Sequence, residues 1–290
     1  MSFEIVTDSC CNLTEDMIDE LGVHILPLTF IIDGEQYQSY LKGEKTDLKQ
    51  FFTMMREGKV ITTSLPNLGD TEKLMRELLG KGRDLLFLGF SSALSGTYQA
   101  TAALMGQLAE EFPERKLVAI DTLAASAGQG MVVYYAAKRR AAGEGIDAVE
   151  AWVRENILHA AHWFTVDDLM FLLRGGRVSK TTAFAGTVLN IKPVLHVDDE
   201  GRLIPVGKVR GRKKSIQALM KHMRETASSM EGQTVFITHG DCIEDVEYLS
   251  GLIRAEYGED TKIVVNYIDP VIGAHAGPGT LALFFMAEHR

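Results

Sequence analysis

Short apolar runs alternate with stretches whose apolar residues recur every three or four positions, and this alternation holds through the first 160 residues. Residues 3–7 form the first apolar run. Residues 14–21 follow with helical spacing and stop at Gly22, a residue that tolerates the left-handed conformation of a helix end. Residues 23–32 read as a second strand, interrupted only by Pro27. Residues 46–57 and 70–79 are amphipathic with helical period, and Thr62-Thr63-Ser64-Leu65-Pro66 lies between them as a loop. The run from Asp84 to Gly89 has the length of a buried strand. It breaks into Ser91-Ser92-Ala93-Leu94-Ser95-Gly96-Thr97 and resumes as a helical pattern with Leu104, Met105 and Leu108. A strand at 116–120 and a helix at about 125–140 complete the series. Strands separated by helices imply a parallel sheet joined by right-handed crossovers. Ligands in such sheets bind beyond the carboxyl ends of the strands, where Asp8, Ser9, Ser91, Ser92 and Asp121 fall.

Beyond residue 160 the pattern changes. Helical spacing at 148–162 and 167–173 precedes Arg174-Gly175-Gly176-Arg177. Strand-like runs at 191–197 and 202–209 flank Asp198-Asp199-Glu200-Gly201, a hairpin turn. A helix with a basic start, a strand at 234–238, a helix at 243–257 and a strand at 262–268 follow. The chain then passes through a glycine-rich turn at 273–280, which holds His275, into an apolar run at 281–286. The expected architecture is α/β in two domains with the ligand between them. Residues 1–160 form an N-terminal, Rossmann-like parallel-sheet domain with the anion-binding loops. Residues 161–290 form a C-terminal mixed-sheet α/β domain with a basic surface and His275.

The serine-rich junction after Gly89 brings backbone N–H groups and hydroxyls to one spot, which suits an anion. It contains no lysine, so it lacks the charge of a nucleotide-phosphate loop, and a small oxyanion such as a carboxylate is the expected guest. Composition sets the surroundings. The 290 residues are 46% apolar and 24% charged, and no apolar run approaches the length of a transmembrane helix. The opening residues are strand-like and unlike a signal peptide. Three cysteines, two of them adjacent, match neither a disulfide framework nor a metal site, so a reduced cytoplasm is the expected compartment. A net charge of -9 argues against nucleic acid as a partner. Yet Arg202, Lys208, Arg210, Arg212, Lys213, Lys214 and Lys221 fall in a stretch with no acidic residue. That stretch reads either as a solvated surface or as a docking face for an acidic partner or a phosphate.

Six short motifs, in this order and spacing, resemble the DegV family over nearly the whole chain. They are Thr7-Asp8-Ser9 with Leu13, Thr63-Ser64-Leu65-Pro66, Ser91-Ser92-Ala93-Leu94-Ser95-Gly96-Thr97-Tyr98, Gly175-Gly176-Arg177-Val178-Ser179, Ile191-Lys192-Pro193 and His275-Ala276-Gly277. The resemblance implies a fatty-acid-binding subunit of bacterial fatty acid kinase, a carrier in phospholipid metabolism rather than an enzyme. It would have no cofactor, no metal and no nucleotide site of its own. Its partners would be the fatty acid, the kinase, and an acyltransferase that consumes the acyl-phosphate. Carried over residue by residue, the ligand carboxylate falls to Thr63, Ser95 and His275. Ser64, Ser91 and Ser92 are the neighbouring alternatives, and Gly96 permits close backbone approach. Arg177 and Arg210 would meet the kinase or the product phosphate, since guanidinium groups bind phosphate and carboxylate bidentately. Leu28, Phe30, Phe171, Phe184 and Leu189 are the expected tunnel walls. A hexadecanoyl tail buries roughly 14 methylenes at about 0.8 kcal/mol each. Association and ordering offset about 4–15 kcal/mol, so tight binding requires a preformed, dry tunnel.

Two other readings compete. Ser95, His275 and either Asp8 or Asp121 supply the residue types of a serine hydrolase acting on an acyl substrate. Against it, the residue two before Ser95 is Ala93, where a nucleophile elbow carries glycine. A DNA-binding regulator would need the basic segment as a recognition helix, and the acidic total opposes it.

Overall fold

The computed structural model describes residues 3–179 and 190–290. The chain opens with β1 (Phe3–Asp8), α1 (Glu15–Leu21), β2 (His24–Leu26), β3 (Thr29–Ile32) and β4 (Glu35–Gln38). Next come α2 (Leu48–Arg56), β5 (Ile61–Ser64), α3 (Leu68–Gly80), β6 (Asp84–Gly89), α4 (Thr97–Glu111) and β7 (Leu117–Asp121). Then follow α5 (Ala127–Ala141), α6 (Ile146–Asn156), β8 (Ala160–Thr165), α7 (Met170–Arg174), β9 (Ile191–Val197) and β10 (Leu203–Arg210). The last elements are α8 (Arg212–Thr226), β11 (Thr234–His239), α9 (Ile243–Tyr257), β12 (Lys262–Tyr267), α10 (Pro270–Ala276) and β13 (Leu281–Met286).

These strands form three sheets. One is parallel, in the order β2-β1-β6-β7, with its four carboxyl ends on one side. A six-stranded mixed sheet runs β10-β9-β8-β13-β11-β12, with only β11 and β12 parallel. A small antiparallel sheet, β4-β3-β5, stands apart from both. Helix α5 lies between the two larger sheets. One apolar cluster joins Ile5, Leu86 and Ile120 of the parallel sheet to Met131 and Val133 of α5 and to Phe164 and Phe284 of the mixed sheet. Gly128 makes the close fit of α5 feasible, because a Cβ there would sit 2.0 Å from His162 Nε2.

Four expectations are corrected. Residues 23–32 are two strands in different sheets, not one. Proline has no N–H for a ladder, and at Pro27 the chain turns out of the parallel sheet, with Leu28 N–H held by the Ser9 hydroxyl at 3.1 Å. Thr62–Ser64 is strand rather than loop, because β5 pairs with β3 and sets Thr63 opposite Phe30. The helix expected at 148–162 ends at Asn156, and Ala160–Thr165 is a fully buried strand. Its apolar run suits helix and strand equally until the neighbours β9 and β13 are known. His275 lies in a helix rather than a turn, since Asp269 caps α10 and Pro270 occupies its first position. The polar strand β4 has no apolar alternation and escaped the sequence reading.

Candidate functional site

The cavity that gathers the motif residues is about 280 Å³ in volume, and its walls come from the mixed sheet, the small sheet and the segments that follow the strands of the parallel sheet. Leu28, Phe90 and Leu94 come from the N-terminal half, and Phe164, Val197 and Leu203 from the mixed sheet. Ile268, Val271 and Ile272 add a wall at the start of α10. Its volume sits near the small end of the range of about 300–1,000 Å³ usual for ligand sites.

At the mouth, Thr63 is the penultimate residue of β5 and His275 occupies the last turn of α10, and their Oγ1 and Nε2 atoms are 2.8 Å apart. Ser95 stands just before α4. Its hydroxyl accepts the Thr97 N–H at 3.3 Å and pairs with the Thr97 hydroxyl at 2.9 Å. Ser64, Gly96 and Arg177 line the same mouth. Arg177 donates through Nε to the Leu94 carbonyl at 3.1 Å and through Nη1 to the Gly175 carbonyl. It thus bridges the Ser95 loop to the segment packed on His275. Gly175 is required there, because a Cβ would lie 2.5 Å from His275 Nδ1. Burial, reinforced by the Arg177 charge, pushes the His275 imidazole down to about 4, so it is neutral at physiological pH. A neutral imidazole keeps one N–H to donate, and the Thr63 and Ser95 hydroxyls can rotate their protons toward an acceptor.

The inner end is different. His162 accepts the Ala125 N–H at Nε2 and donates from Nδ1 to the Ala160 carbonyl, and its burial holds it neutral in that tautomer. The Ser126 hydroxyl lies 2.9 Å from Asn12 Oδ1 and 3.0 Å from the Thr238 hydroxyl. The Thr280 hydroxyl donates to the carbonyls of Ala276 and Gly277. The lining residues His162, Ser126, Thr238 and Thr280 are buried and their polar groups are satisfied within the protein. The mouth groups are only partly buried or exposed, Thr63 and His275 bonding each other and Ser95 bonding Thr97. The cavity is therefore amphipathic along its length, with exchangeable hydrogen-bonding groups at one end and apolar contacts beyond.

Thr63, Ser95 and His275 are brought together from three distant parts of the chain, and Ser64, Gly96 and Arg177 join them. Other expected residues are placed elsewhere. Ser91 is fully buried, does not line the cavity, and donates its hydroxyl to the Gly201 carbonyl at 2.9 Å, tying the β9–β10 hairpin to the parallel sheet. Ser92 also lies outside the lining, its N–H directed at the Asp121 carboxylate. Phe30 packs edge-on against Phe51 in the apolar cluster that also holds the walls Leu28, Phe90 and Leu94, and Phe171 presses on Gly277, but neither lines the cavity. Of the expected walls among the described residues, Leu28 alone lines the cavity, while Phe184 and Leu189 lie outside the described residues. Arg210 is exposed at the end of β10 and does not line the cavity. Within the basic stretch, Arg202, Arg212 and Lys221 are ion-paired to Asp198, Asp245 and Glu225.

A hydrolytic relay is not assembled among the described residues. His275 Nε2 faces Thr63 rather than Ser95. The Asp8 carboxylate accepts the N–H groups of Cys10 and Phe90 and the Gln129 amide, and the Asp121 carboxylate accepts those of Ser92 and Leu123. The walls Phe90, Leu94, Val271 and Ile272 were missed from sequence. Leu94 and Phe90 flank hydroxyls, and α10 is too rich in glycine and alanine to read as a helix. The only sequence signal for α10 was Asp269-Pro270, a cap followed by the first helical position.

Fold and site together define an α/β protein with two principal sheets enclosing an apolar cavity under a hydroxyl-and-histidine mouth. Residues 2–288 match the family described as "Uncharacterised protein, DegV family". A DegV domain-containing protein of Clostridium perfringens is 41% identical over 288 residues, covering 99% of this chain and 98% of that relative. The chain belongs to the DegV family. The solved structure of a fatty-acid-binding DegV family protein from Thermus thermophilus has a TM-score of 0.86 and 33% identity, over 99% of this chain and 100% of that one. DegV from Bacillus subtilis, a fatty acid binding protein, has a TM-score of 0.84 and 26% identity, over 99% and 100% of the two chains. Among the described residues no helix is long and apolar enough to cross a membrane.

Proposed function

We propose that this chain is a fatty-acid carrier. It buries the acyl tail in the cavity, holds the carboxylate at Thr63, Ser95 and His275, and presents it to a separate kinase in the cytoplasm. The observation that carries this reading is the sorting of polar groups along one cavity. At the mouth the Thr63, Ser95 and His275 side chains are only partly buried and bond other side chains, partners that an incoming carboxylate can replace, while Ser126, Thr238 and Thr280 at the inner end are buried and paired within the protein. A carboxylate placed at the mouth gains charge-assisted hydrogen bonds, and a tail laid inward meets Leu28, Phe164, Val271 and Phe284. The solved relatives from Thermus thermophilus and Bacillus subtilis, both fatty acid binding proteins, support the same guest.

In the proposed reaction the presented carboxylate oxygen attacks the terminal phosphorus of ATP held by the kinase. ADP departs and an acyl-phosphate forms, which an acyltransferase then consumes. The carrier supplies no nucleotide site, and Arg177 places positive charge beside the nascent phosphate. Arg210, on the outer edge of β10, contributes to the kinase-docking face. Mass spectrometry of small molecules released by denaturing the purified protein tests the ligand class. Recovery of long-chain fatty acids is expected. No released lipid together with no binding of added palmitate overturns the proposal.

A further inference from the structure

We infer that Asp8 and Asp269, which do not line the cavity, are positioning residues that each fix one half of its mouth. The inference rests on reading Thr63, Ser95 and His275 as the carboxylate clamp. Asp8 is fully buried at the end of β1. One of its oxygens accepts the Cys10 N–H at 3.1 Å, and the other accepts the Phe90 N–H at 2.8 Å and the Gln129 amide at 3.1 Å. Phe90 begins the turn after β6. The next carbonyl, that of Ser91, accepts the N–H groups of Leu94 at 3.0 Å and Ser95 at 3.2 Å. The Asp8 carboxylate therefore anchors the start of the turn whose end carries Ser95.

Asp269 does the same for the other side. It is buried, its Oδ1 accepts the Val271 N–H at 2.8 Å, and its carbonyl accepts the Gly273 N–H at 2.8 Å. The helix so capped has seven residues and bears His275 in its last turn. A helix that short does not persist by propensity, so its cap and packing decide where His275 points. Ser9 links the two sites through Ser39, whose side chain also bonds Asp269. The Ser9 hydroxyl receives the Ser39 hydroxyl at 2.6 Å and the N–H of Leu28, which leads into β3 and so to the strand pair that carries Thr63. The buried polar knot thus contacts elements bearing each of the three clamp residues. Burial raises Asp8 to about 6 and Asp269 to about 7, the latter pushed further by the Asp8 charge, a cost expected of carboxyls retained beside a binding site.

The test compares Kd for palmitate and for methyl palmitate, which has the same tail without the charge, on the full chain. Asp269→Asn keeps a side-chain oxygen for the Val271 N–H, so the preference for palmitate stays within about twofold of the unmodified chain. Asp269→Ala removes the cap. Asp8→Asn sets an amide NH2 against a backbone donor, because both Asp8 oxygens already accept N–H groups. Each of these two lowers palmitate affinity about tenfold or more, the loss expected of misplaced hydrogen bonds to a charged group, and spares methyl palmitate. Should Asp8→Asn fail to fold, the Asn and Ala variants of Asp269 decide. Equal losses for both ligands, or unchanged preference in Asp269→Ala, overturn the inference. A wild-type chain that does not prefer palmitate to its ester overturns the underlying clamp reading instead, before any variant is made.

Discussion

A carboxylate entering an apolar cavity is tolerated only where several donors meet it, and the proposed clamp meets it with three modest groups and no full counter-charge at the point of contact. Thr63→Val keeps the shape and deletes one hydroxyl. It is expected to cost about 1.5–3 kcal/mol of palmitate binding, read by calorimetry, while methyl palmitate binds nearly as before. In the proposed clamp His275 is the neutral imidazole. The unfolded chain protonates this residue near 6.5 and the folded chain only near about 4. The sign follows: protons bind preferentially to the unfolded state in that window, so His275 withdraws stability as pH falls from 6.5 toward 4. His275→Gln should flatten that part of the stability profile. NMR titration should find the imidazole neutral down to about pH 5, and an inflection near 6.5 would contradict its burial.

Among elements, the two that carry clamp residues are short, and long-range contacts fix both. Strand β5 has four residues and depends on β3 for its pairing, while α10 depends on Asp269 and on α7 packed against it. Gly175 lets α7 approach so closely that Gly175→Ala must displace the His275 ring. A loss of about 1–3 kcal/mol in palmitate affinity or stability is expected from such overpacking, measurable by calorimetry and denaturant titration. The β9–β10 hairpin carries Val197 and Leu203 into the cavity, and the Ser91 hydroxyl secures its turn. Ser91→Ala leaves the Gly201 carbonyl without that donor. It should lower stability by about 1–3 kcal/mol in denaturant titration without changing the preference for palmitate over its ester.

At the scale of the whole molecule, the cavity exists because the two larger sheets meet across α5 and leave a gap where the strands of the parallel sheet end. Its volume limits what can enter. Ala282→Leu adds bulk on β13 at the wall and should weaken binding of longer fatty acids more than shorter ones, as read by a chain-length series of Kd values. Arg210 is separate from the cavity. On the proposed carrier function, Arg210→Glu should leave palmitate binding unchanged and lower the rate at which a partner kinase phosphorylates the bound acid. Loss of binding in that variant would place Arg210 in the clamp.

Elements whose signals are local were readable from the residues alone. The apolar run from Asp84 with its serine-rich end, the Thr14 cap and Gly22 stop of α1, and the helix Ile243–Tyr257 were all legible, because short-range sterics and periodicity specify them. The clamp residues were legible only as motifs whose order matches a family. Nothing local states that Thr63 faces His275 across 212 positions. Tertiary structure decided the rest. It made strand of Thr62–Ser64, helix of the glycine-rich segment around His275, and strand of Ala160–Thr165, since each depends on a partner remote in sequence. It also turned Ser91 from a ligand candidate into a tie between the sheets, because a hydroxyl's role follows from the acceptor it reaches.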